Sequence, residues 1–331
     1  MILLLGFFVR LWIARGPRNL YFPPETKVEI VKGDTLAKFY INLSQAEIFR
    51  CKRYLKTHSE ISTSLQEGTY ILSGTYTAAE FLEHIAKWPT KEFISYTVLE
   101  WRSIYDIDDN LAKKGYIQPW AFIAYTTNPD KIAELSQRYD FFDASITSLE
   151  GFLYPDTYYL DNRNDLVNQL VSIQLNTFKR RVWEEYSSDF AAIQNKYGLS
   201  VYETVNLASI IEKEEKNADN KSTVAGIFYN RIQRGMLLGA DITLCYHFKQ
   251  PYVTCTPSVI AKNVSDAKNP YNTRQVAGLP PTPIGNPNVV ALQAVLFPQQ
   301  TSYLFYLHDS KGGIHYAETN AAHERNKAQW L

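Results

Sequence analysis

The hydrophobic positions near the start of the chain switch between the two-residue period of a strand and the longer period of a helix. Alternating apolar residues predict strands at Lys27–Val31 and Gly68–Leu72. Between these strands, apolar residues at helical spacing predict one helix from Leu36 to Leu43 and a second over Gln45–Lys56. We therefore expect a small β-α-α-β unit, which an amphipathic helix over Thr77–Trp88 follows.

From residue 91 onward the pattern is mainly helical. Helical spacing predicts seven further helices: Ser103–Lys114, Trp120–Tyr125, Pro129–Tyr139, Leu166–Tyr186, Glu203–Glu215, Lys221–Arg234 and Val289–Leu296. Alternation predicts a strand at Glu92–Leu99, and a second at Tyr303–Leu307 is expected to form a hairpin with Ile314–Tyr316 around the turn at Lys311–Gly313. The prolines of Asn269–Asn288 make that segment a loop.

These patterns predict an α+β fold in three parts: residues 1–20, a small subdomain at 25–90 and a larger α+β domain at 91–331. In the first part, Met1–Ala14 is apolar apart from Arg10. Fourteen helical residues rise about 20 Å, which is short of a ~30 Å hydrocarbon core. We therefore interpret this segment as the remnant of a membrane anchor; a buried or frayed N-terminal helix is the alternative.

Composition excludes several classes of protein. The chain has 331 residues, and 34 Lys and Arg balance 34 Asp and Glu, so no nucleic-acid partner is expected. No apolar run reaches the ~18–20 residues of a spanning helix, which argues against a polytopic membrane protein. Neither a nucleotide-binding glycine motif nor a metal-binding histidine spacing occurs, so no cofactor and no metal are expected. The 23 Tyr and 6 Trp fit either core packing or the walls of a sugar-binding cleft.

The most informative helix contains Leu207–Glu214, with the sequence LASIIEKE. At helical spacing, Glu212 shares a face with Ala208 and Ser209, whose small side chains are expected to leave room for a ligand. Glu214 lies about 200° further round the axis, so the two carboxylates are not expected to act together. Glu212 is thus a candidate acid, and an ordinary surface glutamate near a helix end remains the equal alternative.

Six motifs, in order along the chain, resemble those of MltG-type (YceG-like) endolytic murein transglycosylases. They are Glu150–Thr157 (EGFLYPDT), Leu207–Glu214 (LASIIEKE), Ile227–Ile232 (IFYNRI), Gly239–Thr243 (GADIT), Tyr271–Thr273 (YNT) and Gly278–Pro281 (GLPP). The subdomain at 25–90 is similar to the LysM-like subdomain of that family, with VKGDTL at Val31–Leu36. One departure is Ile242, where the family has proline.

The resemblance implies a lyase that cleaves the β-1,4 bond between N-acetylmuramic acid and N-acetylglucosamine without water. One glutamate, Glu212 here, would protonate the leaving oxygen and then take the proton of the muramoyl C6 hydroxyl, which closes on C1 to a 1,6-anhydro end. The resemblance makes five other residues candidate substrate-binding residues, with structural roles in turns left open: Glu150, Asp156, Asp241, Asn272 and Thr273. It implies no cofactor.

The implied partners are peptidoglycan glycan strands, with peptidoglycan synthases as further candidates. The implied location is the inner (cytoplasmic) membrane, crossed once by an N-terminal anchor, with the catalytic domain on the outer, periplasmic side. Two alternatives stay open. A glycoside hydrolase (muramidase) would use Glu212 with a second carboxylate, that of Glu150, Asp156 or Asp241. A non-catalytic peptidoglycan-binding protein would bind through the LysM-like unit at residues 25–90 and would not use Glu212.

The three cysteines are too few for a disulfide scaffold. A turn at Gln250–Pro251 is expected to bring two extended arms, Leu244–Phe248 and Tyr252–Thr256, side by side. This arrangement would allow a Cys245–Cys255 disulfide, whereas two free thiols are the equal alternative. Cys51 is expected to be unpaired.

Overall fold

The computed structural model describes residues 19–30, 68–87, 93–161 and 165–331. Helices and short two-stranded sheets make up the fold, which confirms the predicted α+β class. The described residues form two compact units, which divide between Ile94 and Ser95; Asp161 groups with the first unit. Each unit is described by itself below.

In the first unit, strand β1 (Asn19–Ile30) pairs antiparallel with β2 (Gly68–Thr77), and the register shifts between Phe22 and Thr26. Helix α1 (Ala78–Lys87) follows β2. Both strands were predicted, although β1 begins earlier than its alternation indicated. The two helices predicted between residues 36 and 56 lie outside the described residues, so the LysM-like assignment of residues 25–90 stays a prediction.

Helix α1 begins at a capping box. The Glu80 carboxylate accepts from the backbone N–H of Thr77 at 2.7 Å, and the Thr77 hydroxyl accepts from the N–H of Glu80 at 3.2 Å. This exchange satisfies two backbone donors that a helix start leaves without intrahelical partners. Phe81 and Ile85 form the buried face of the helix, as its amphipathic pattern predicts.

Strand β3 (Phe93–Thr97) pairs with β4 (Thr157–Asp161), and the larger part of each strand belongs to the second unit, which also contains most of the helices. The helices are α2 (Ile104–Lys113), α3 (Ala121–Thr126), α4 (Pro129–Ser136), α5 (Leu166–Phe178), α6 (Glu184–Tyr197), α7 (Val201–Glu214), α8 (Ala218–Gln233), α9 (Pro257–Asn263), α10 (Val289–Leu296) and α11 (Asn320–Trp330). All seven predicted helices are present. The helix predicted over Leu166–Tyr186 is longer than expected, because a π-helical turn at Lys179–Trp183 joins α5 to α6.

The core of this unit is built around α7, which is buried along most of its length and packs with α8 against α10. A capping box also starts α7: the Ser200 hydroxyl accepts from the N–H of Glu203, and the Glu203 carboxylate accepts from the N–H of Ser200. The helix therefore has a fixed start, and its last turn, which carries Glu212, lies between α8 and the beginning of α10.

The predicted C-terminal hairpin is confirmed. Strand β5 (Phe305–His308) pairs antiparallel with β6 (Ile314–Ala317). Asp309 closes the turn by accepting from the backbone N–H of Gly313 at 2.8 Å, and Gly312 takes the left-handed backbone (φ +84°) that favours glycine.

The disulfide between Cys245 and Cys255 is present, with 5.8 Å between the Cα atoms. The two extended arms predicted around it are wrong. The chain forms 3₁₀ helices at Asp241–Phe248 and Tyr252–Thr254 instead. The residues from Thr243 to Tyr246 are all buried, and consecutive buried positions fit a tight helical segment rather than the alternating faces of a strand.

In the part of the chain that the structure describes, no helix is long and apolar enough to cross a membrane. The anchor predicted at Met1–Ala14 lies outside the described residues.

Candidate active site

Glu212 lies in the last turn of α7, and its side chain is only 8% exposed. The Lys221 ammonium on α8, itself 4% exposed, donates to Glu212 Oε1 at 3.2 Å. The backbone N–H of Asn288, the cap of α10, donates to Oε2 at 3.3 Å. Each carboxylate oxygen therefore has one partner, and three elements of the fold fix the position of the group.

Glu212 lines a cavity of about 450 Å³. The walls of this cavity are formed mainly by Trp101, Lys213, Lys216, Ile242, Tyr252 and Asn288. A second carboxylate, that of Glu100, lines the same cavity and is exposed. The cavity thus combines one held carboxylate, one exposed carboxylate, two aromatic rings and two lysines.

The small residues beside Glu212 do not leave room for a ligand, which corrects the expectation from the sequence. The Ser209 hydroxyl accepts from the backbone N–H of Ile284 at 3.0 Å, so the proline-rich loop of the chain itself covers this face. Ala208 is fully buried. The cavity is lined by Glu212 and Lys213 instead. Lys213 lies 100° further round the helix axis than Glu212, so the cavity faces a different side of α7 from the one that the loop covers.

Glu214 lies away from Glu212, as its position on the helix predicted. It lines a different cavity, of about 640 Å³, together with Asp241 and Tyr306. The Tyr306 hydroxyl donates to the Glu214 carboxylate at 3.0 Å, and burial raises the pKa of Glu214 above its usual range. Asp241 forms an ion pair with Arg274 on the wall of that second cavity. Neither acid lines the cavity that contains Glu212.

Glu150 is fully buried and does not line the Glu212 cavity. Its Oε2 accepts from the Ile104 N–H and the Tyr246 hydroxyl, both at 2.8 Å, and its Oε1 accepts from the Asn286 amide at 2.8 Å. Burial raises the pKa of Glu150 to about 8, although the Ile104 N–H and the Tyr246 hydroxyl oppose the shift. Glu150 therefore joins α2, the proline-rich loop and the segment from Cys245 to Cys255, which we call the disulfide segment.

Asn286 is a site residue that the sequence did not indicate. Its Oδ1 accepts from the backbone N–H groups of Gly151 and Leu153, at 2.8 and 3.1 Å. Its backbone also pairs with the segment at Trp101: the Trp101 N–H donates to Asn286 O at 2.9 Å. Trp101 has a positive φ of 60°, which is uncommon for a residue with a side chain, and this hydrogen bond fixes its conformation.

Asp156 lies at the start of β4. It pairs with Arg181 at 3.3 Å and accepts from the N–H of Thr157 at 2.8 Å. Asn272 and Thr273 are each 1% exposed. The Asn272 amide donates to three backbone carbonyls, and the Thr273 hydroxyl accepts from the N–H of Ala240 at 3.0 Å. Contact between these residues and a substrate stays a prediction.

Within the ranges that the structure describes, no group of three or more His, Cys, Asp or Glu side chains is placed to hold a metal ion. The Glu212 carboxylate lines the cavity. Its two fixed contacts hold the carboxylate in place at the cavity wall, where it can give a proton to a bound molecule or take one from it.

Comparisons with known proteins agree with this architecture. An endolytic murein transglycosylase of Bacillus subtilis is 23% identical over 313 residues, which are 92% of this chain and 84% of the relative. An endolytic murein transglycosylase of Streptococcus pneumoniae is 24% identical over 295 residues, which are 81% of this chain and 51% of the relative. The chain thus spans about half the length of the pneumococcal protein.

The fold has also been solved. The crystal structure of a YceG-like protein from Listeria monocytogenes matches with a TM-score of 0.60 and 25% identity, over 91% of this chain and 98% of that one. The model of the YceG-like family matches residues 28–329. With a match that includes the Glu212 cavity and nearly every described element, this chain belongs to the YceG-like family.

Proposed function

We propose that this protein is an endolytic murein transglycosylase. It cleaves the β-1,4 bond between N-acetylmuramic acid and N-acetylglucosamine in nascent peptidoglycan strands and leaves a 1,6-anhydro end, which terminates elongation. The observation that carries the proposal is Glu212, a carboxyl group held by Lys221 and Asn288 at the wall of a cavity with two aromatic rings. The names of the relatives at 23–24% identity support it.

Glu212 acts twice in this reaction. Its protonated carboxyl group gives a proton to the bridging oxygen, and the bond from that oxygen to C1 of the muramoyl residue breaks. The carboxylate then takes the proton of the C6 hydroxyl, whose oxygen forms the new bond to C1. The carboxyl group is restored, and no water is consumed. Because the nucleophile belongs to the substrate, one carboxyl group is sufficient, whereas a hydrolase usually needs two.

Lys221 and Asn288 each contact a different oxygen of the Glu212 carboxyl group. The ammonium of Lys221 contacts Oε1, so Oε2, which contacts only the uncharged Asn288 N–H, is the oxygen that carries the proton. When the proton leaves, the negative charge forms next to the Lys221 cation. The pair therefore stabilises the carboxylate that must act as base in the second half of the reaction.

The other predicted site residues have positioning roles in this proposal. Glu150 holds the disulfide segment and Asn286, and Asn286 in turn fixes Trp101 at the cavity wall. Asn272 and Thr273 shape the loop beside Asp241. Asp156 and Asp241 keep their predicted roles as candidate substrate-binding residues, because both are partly accessible to solvent.

A hydrolase is the second candidate, and the observation that favours it is Glu100. A carboxylate on the same cavity could activate water while Glu212 acts as the acid. We place either enzyme on the outer side of the cytoplasmic membrane, with glycan strands as substrate and synthases as candidate partners. Anchoring by residues 1–20 remains part of the proposal.

The deciding experiment is mass spectrometry of uncrosslinked glycan strands after incubation with the full chain. Products that end in 1,6-anhydromuramic acid support the transglycosylase. Products heavier by one water support the hydrolase. In that case each of the single variants Glu100→Gln and Glu212→Gln should abolish cleavage. If the wild-type chain leaves the strands intact, both enzymatic proposals fail.

A further inference from the structure

The cavity contains a cation whose surroundings are unusual. Lys213 follows Glu212 on α7, and its Nζ lies 3.2 Å from the centroid of the Tyr252 ring and 4.7 Å from that of Trp101. Across the described part of the chain, this ammonium has no hydrogen-bond acceptor and no ion pair with a carboxylate. Its neighbours are the faces of two rings.

The two rings are themselves fixed. The N–H of Tyr252 donates to Asp106 Oδ1 at 3.0 Å, and the Cys245–Cys255 disulfide closes the segment that contains it. Trp101 is held by its backbone bond to Asn286. Aromatic faces attract a cation, yet they accept none of the three N–H bonds of the ammonium in the ordinary sense. The donors of Lys213 are therefore available to a molecule in the cavity.

Resting on the proposed function, we propose that Lys213 is a second ligand-contacting residue, whose ammonium donates to a carbonyl or carboxylate oxygen of the glycan strand bound against Glu212. The acceptor belongs either to an acyl substituent of the sugar or to the peptide stem that the sugar carries. Trp101 and Tyr252 hold the ammonium at the cavity wall, so that the strand is positioned with its cleavable bond at Glu212.

The electrostatic surroundings agree with this role. The pKa of Lys213 is lowered to about 7, mainly by burial; Arg102 acts in the same direction, whereas Asp106, Glu150 and Glu212 oppose the shift. Lys216 and Glu100 also line the cavity. An acceptor oxygen that carries negative charge would stabilise the ammonium, so binding of the strand should favour the charged form. The contact should therefore be strong below pH 7 and weak well above it.

The test measures binding separately from cleavage. In the full-length Glu212→Gln chain, which cannot transfer the proton, we would titrate uncrosslinked glycan strands by calorimetry at pH 6 and pH 9. At pH 6, adding Lys213→Met should weaken binding at least tenfold, because one charge-assisted hydrogen bond is lost. At pH 9 the same substitution should change binding less than threefold. Strands with and without peptide stems identify the acceptor: an effect on both places it on the sugar, and an effect on stem-bearing strands alone places it on the peptide.

Lys196→Met is the matched control, because Lys196 is an exposed lysine over the ring of Tyr197, at 4.9 Å, outside the cavity. It should leave binding unchanged. Lys213→Arg keeps the positive charge and N–H donors, and it should bind at pH 6 more tightly than Lys213→Met. It also tests the contact if Lys213→Met fails to fold. The proposal is overturned if folded Lys213→Met binds within twofold of its parent at pH 6, if Lys213→Arg folds but does not bind, or if Glu212→Gln binds no glycan. Failure of the proposed function is a separate result, since it is read from intact strands with the wild-type chain.

Discussion

Glu212 and Lys221 lie on consecutive helices, and their charged groups meet at 3.2 Å in a part of the protein where both side chains are less than a tenth exposed. Taking two charges out of water is costly, and the cost is offset only while they remain paired. The pair is therefore sensitive to the loss of either member, and this sensitivity can be measured.

Lys221→Met should lower the free energy of unfolding by about 3 kcal/mol, because the Glu212 carboxylate is left buried without its cation. Denaturant unfolding of the wild-type and variant chains measures this difference. The double variant Glu212→Gln with Lys221→Met should lose less than the single Lys221→Met variant, since no unpaired charge remains. If the loss in the double variant equals the sum of the losses in Lys221→Met and Glu212→Gln measured singly, the pair contributes no coupling energy.

Glu212→Gln should reduce cleavage of glycan strands by at least ~10²-fold while the chain remains folded, because the amide oxygen still accepts from Lys221 but cannot give a proton. Its free energy of unfolding should be lower than that of the wild type, since Lys221 loses its charged partner. Product formation over time, together with a thermal unfolding curve, measures both effects. Glu214→Gln is the control on the same helix, and since Glu214 lines the other cavity it should retain most of the activity. A Glu212→Gln chain with near-full activity would show that Glu212 is not the acid.

The helices were predictable because their signals are local. Capping residues three positions apart mark the starts of α1 and α7, and both boxes occur in the structure. Helix α11 was missed because none of its residues is buried, so no apolar period marks it. The 3₁₀ segments around the disulfide were mistaken for strands, because a short apolar run fits either conformation until its partners are known.

The site was predictable only in part. Glu212 was found from one helix and one motif, whereas its partner Asn288 lies 76 residues away, and no local pattern joins the two. Lys221 did leave a signal: at helical spacing it shares a face with Ala225 and Phe228, both fully buried, where a lysine needs a partner. A lysine on a buried helix face therefore predicts a buried carboxylate partner, which here is Glu212.

Stability should depend on pH through Glu150 and Lys213 in opposite senses. The pKa of Glu150 is raised from 4.5 to about 8, so the folded state binds its proton more tightly and stability falls as pH rises between those values. The pKa of Lys213 is lowered from 10.5 to about 7, so the unfolded state binds its proton more tightly and stability rises between pH 7 and pH 10.5. The two contributions should combine to a minimum between about pH 7 and pH 8.

Urea unfolding at a series of pH values separates the two groups by difference. The stability of the wild type relative to Glu150→Gln should fall by more than ~1 kcal/mol from pH 5 to pH 7, given about 1.4 kcal/mol per pKa unit. The stability of the wild type relative to Lys213→Met should rise from pH 8 to pH 10. Differences that do not change with pH would show that these groups titrate alike in the folded and unfolded states.

A form that lacks Met1–Arg18 should fold and cleave isolated glycan strands. The acid Glu212 and the two residues that hold it, Lys221 and Asn288, all lie far from that segment in the sequence. Size-exclusion chromatography and the cleavage assay test the two halves of this prediction. Aggregation or unfolding of the shortened form would indicate that the segment is part of the core rather than an anchor.

The disulfide should stabilise both the fold and the cavity. Thiol titration of the unfolded, unreduced chain should find one reactive group, Cys51, and three would mean that the bridge is absent in solution. Replacing Cys245 and Cys255 by serine should lower the free energy of unfolding by about 2–3 kcal/mol in the chain-entropy model.

The closed segment also places the Tyr246 hydroxyl against Glu150 and the Tyr252 ring against Lys213, so its opening should loosen the cavity wall. We therefore expect the double serine variant to show a several-fold higher KM for glycan strands at a temperature where it remains folded, with a smaller change in kcat, because Glu212 and Lys221 lie outside the segment. Cys51→Ser is the matched control and should change neither the free energy of unfolding nor the KM.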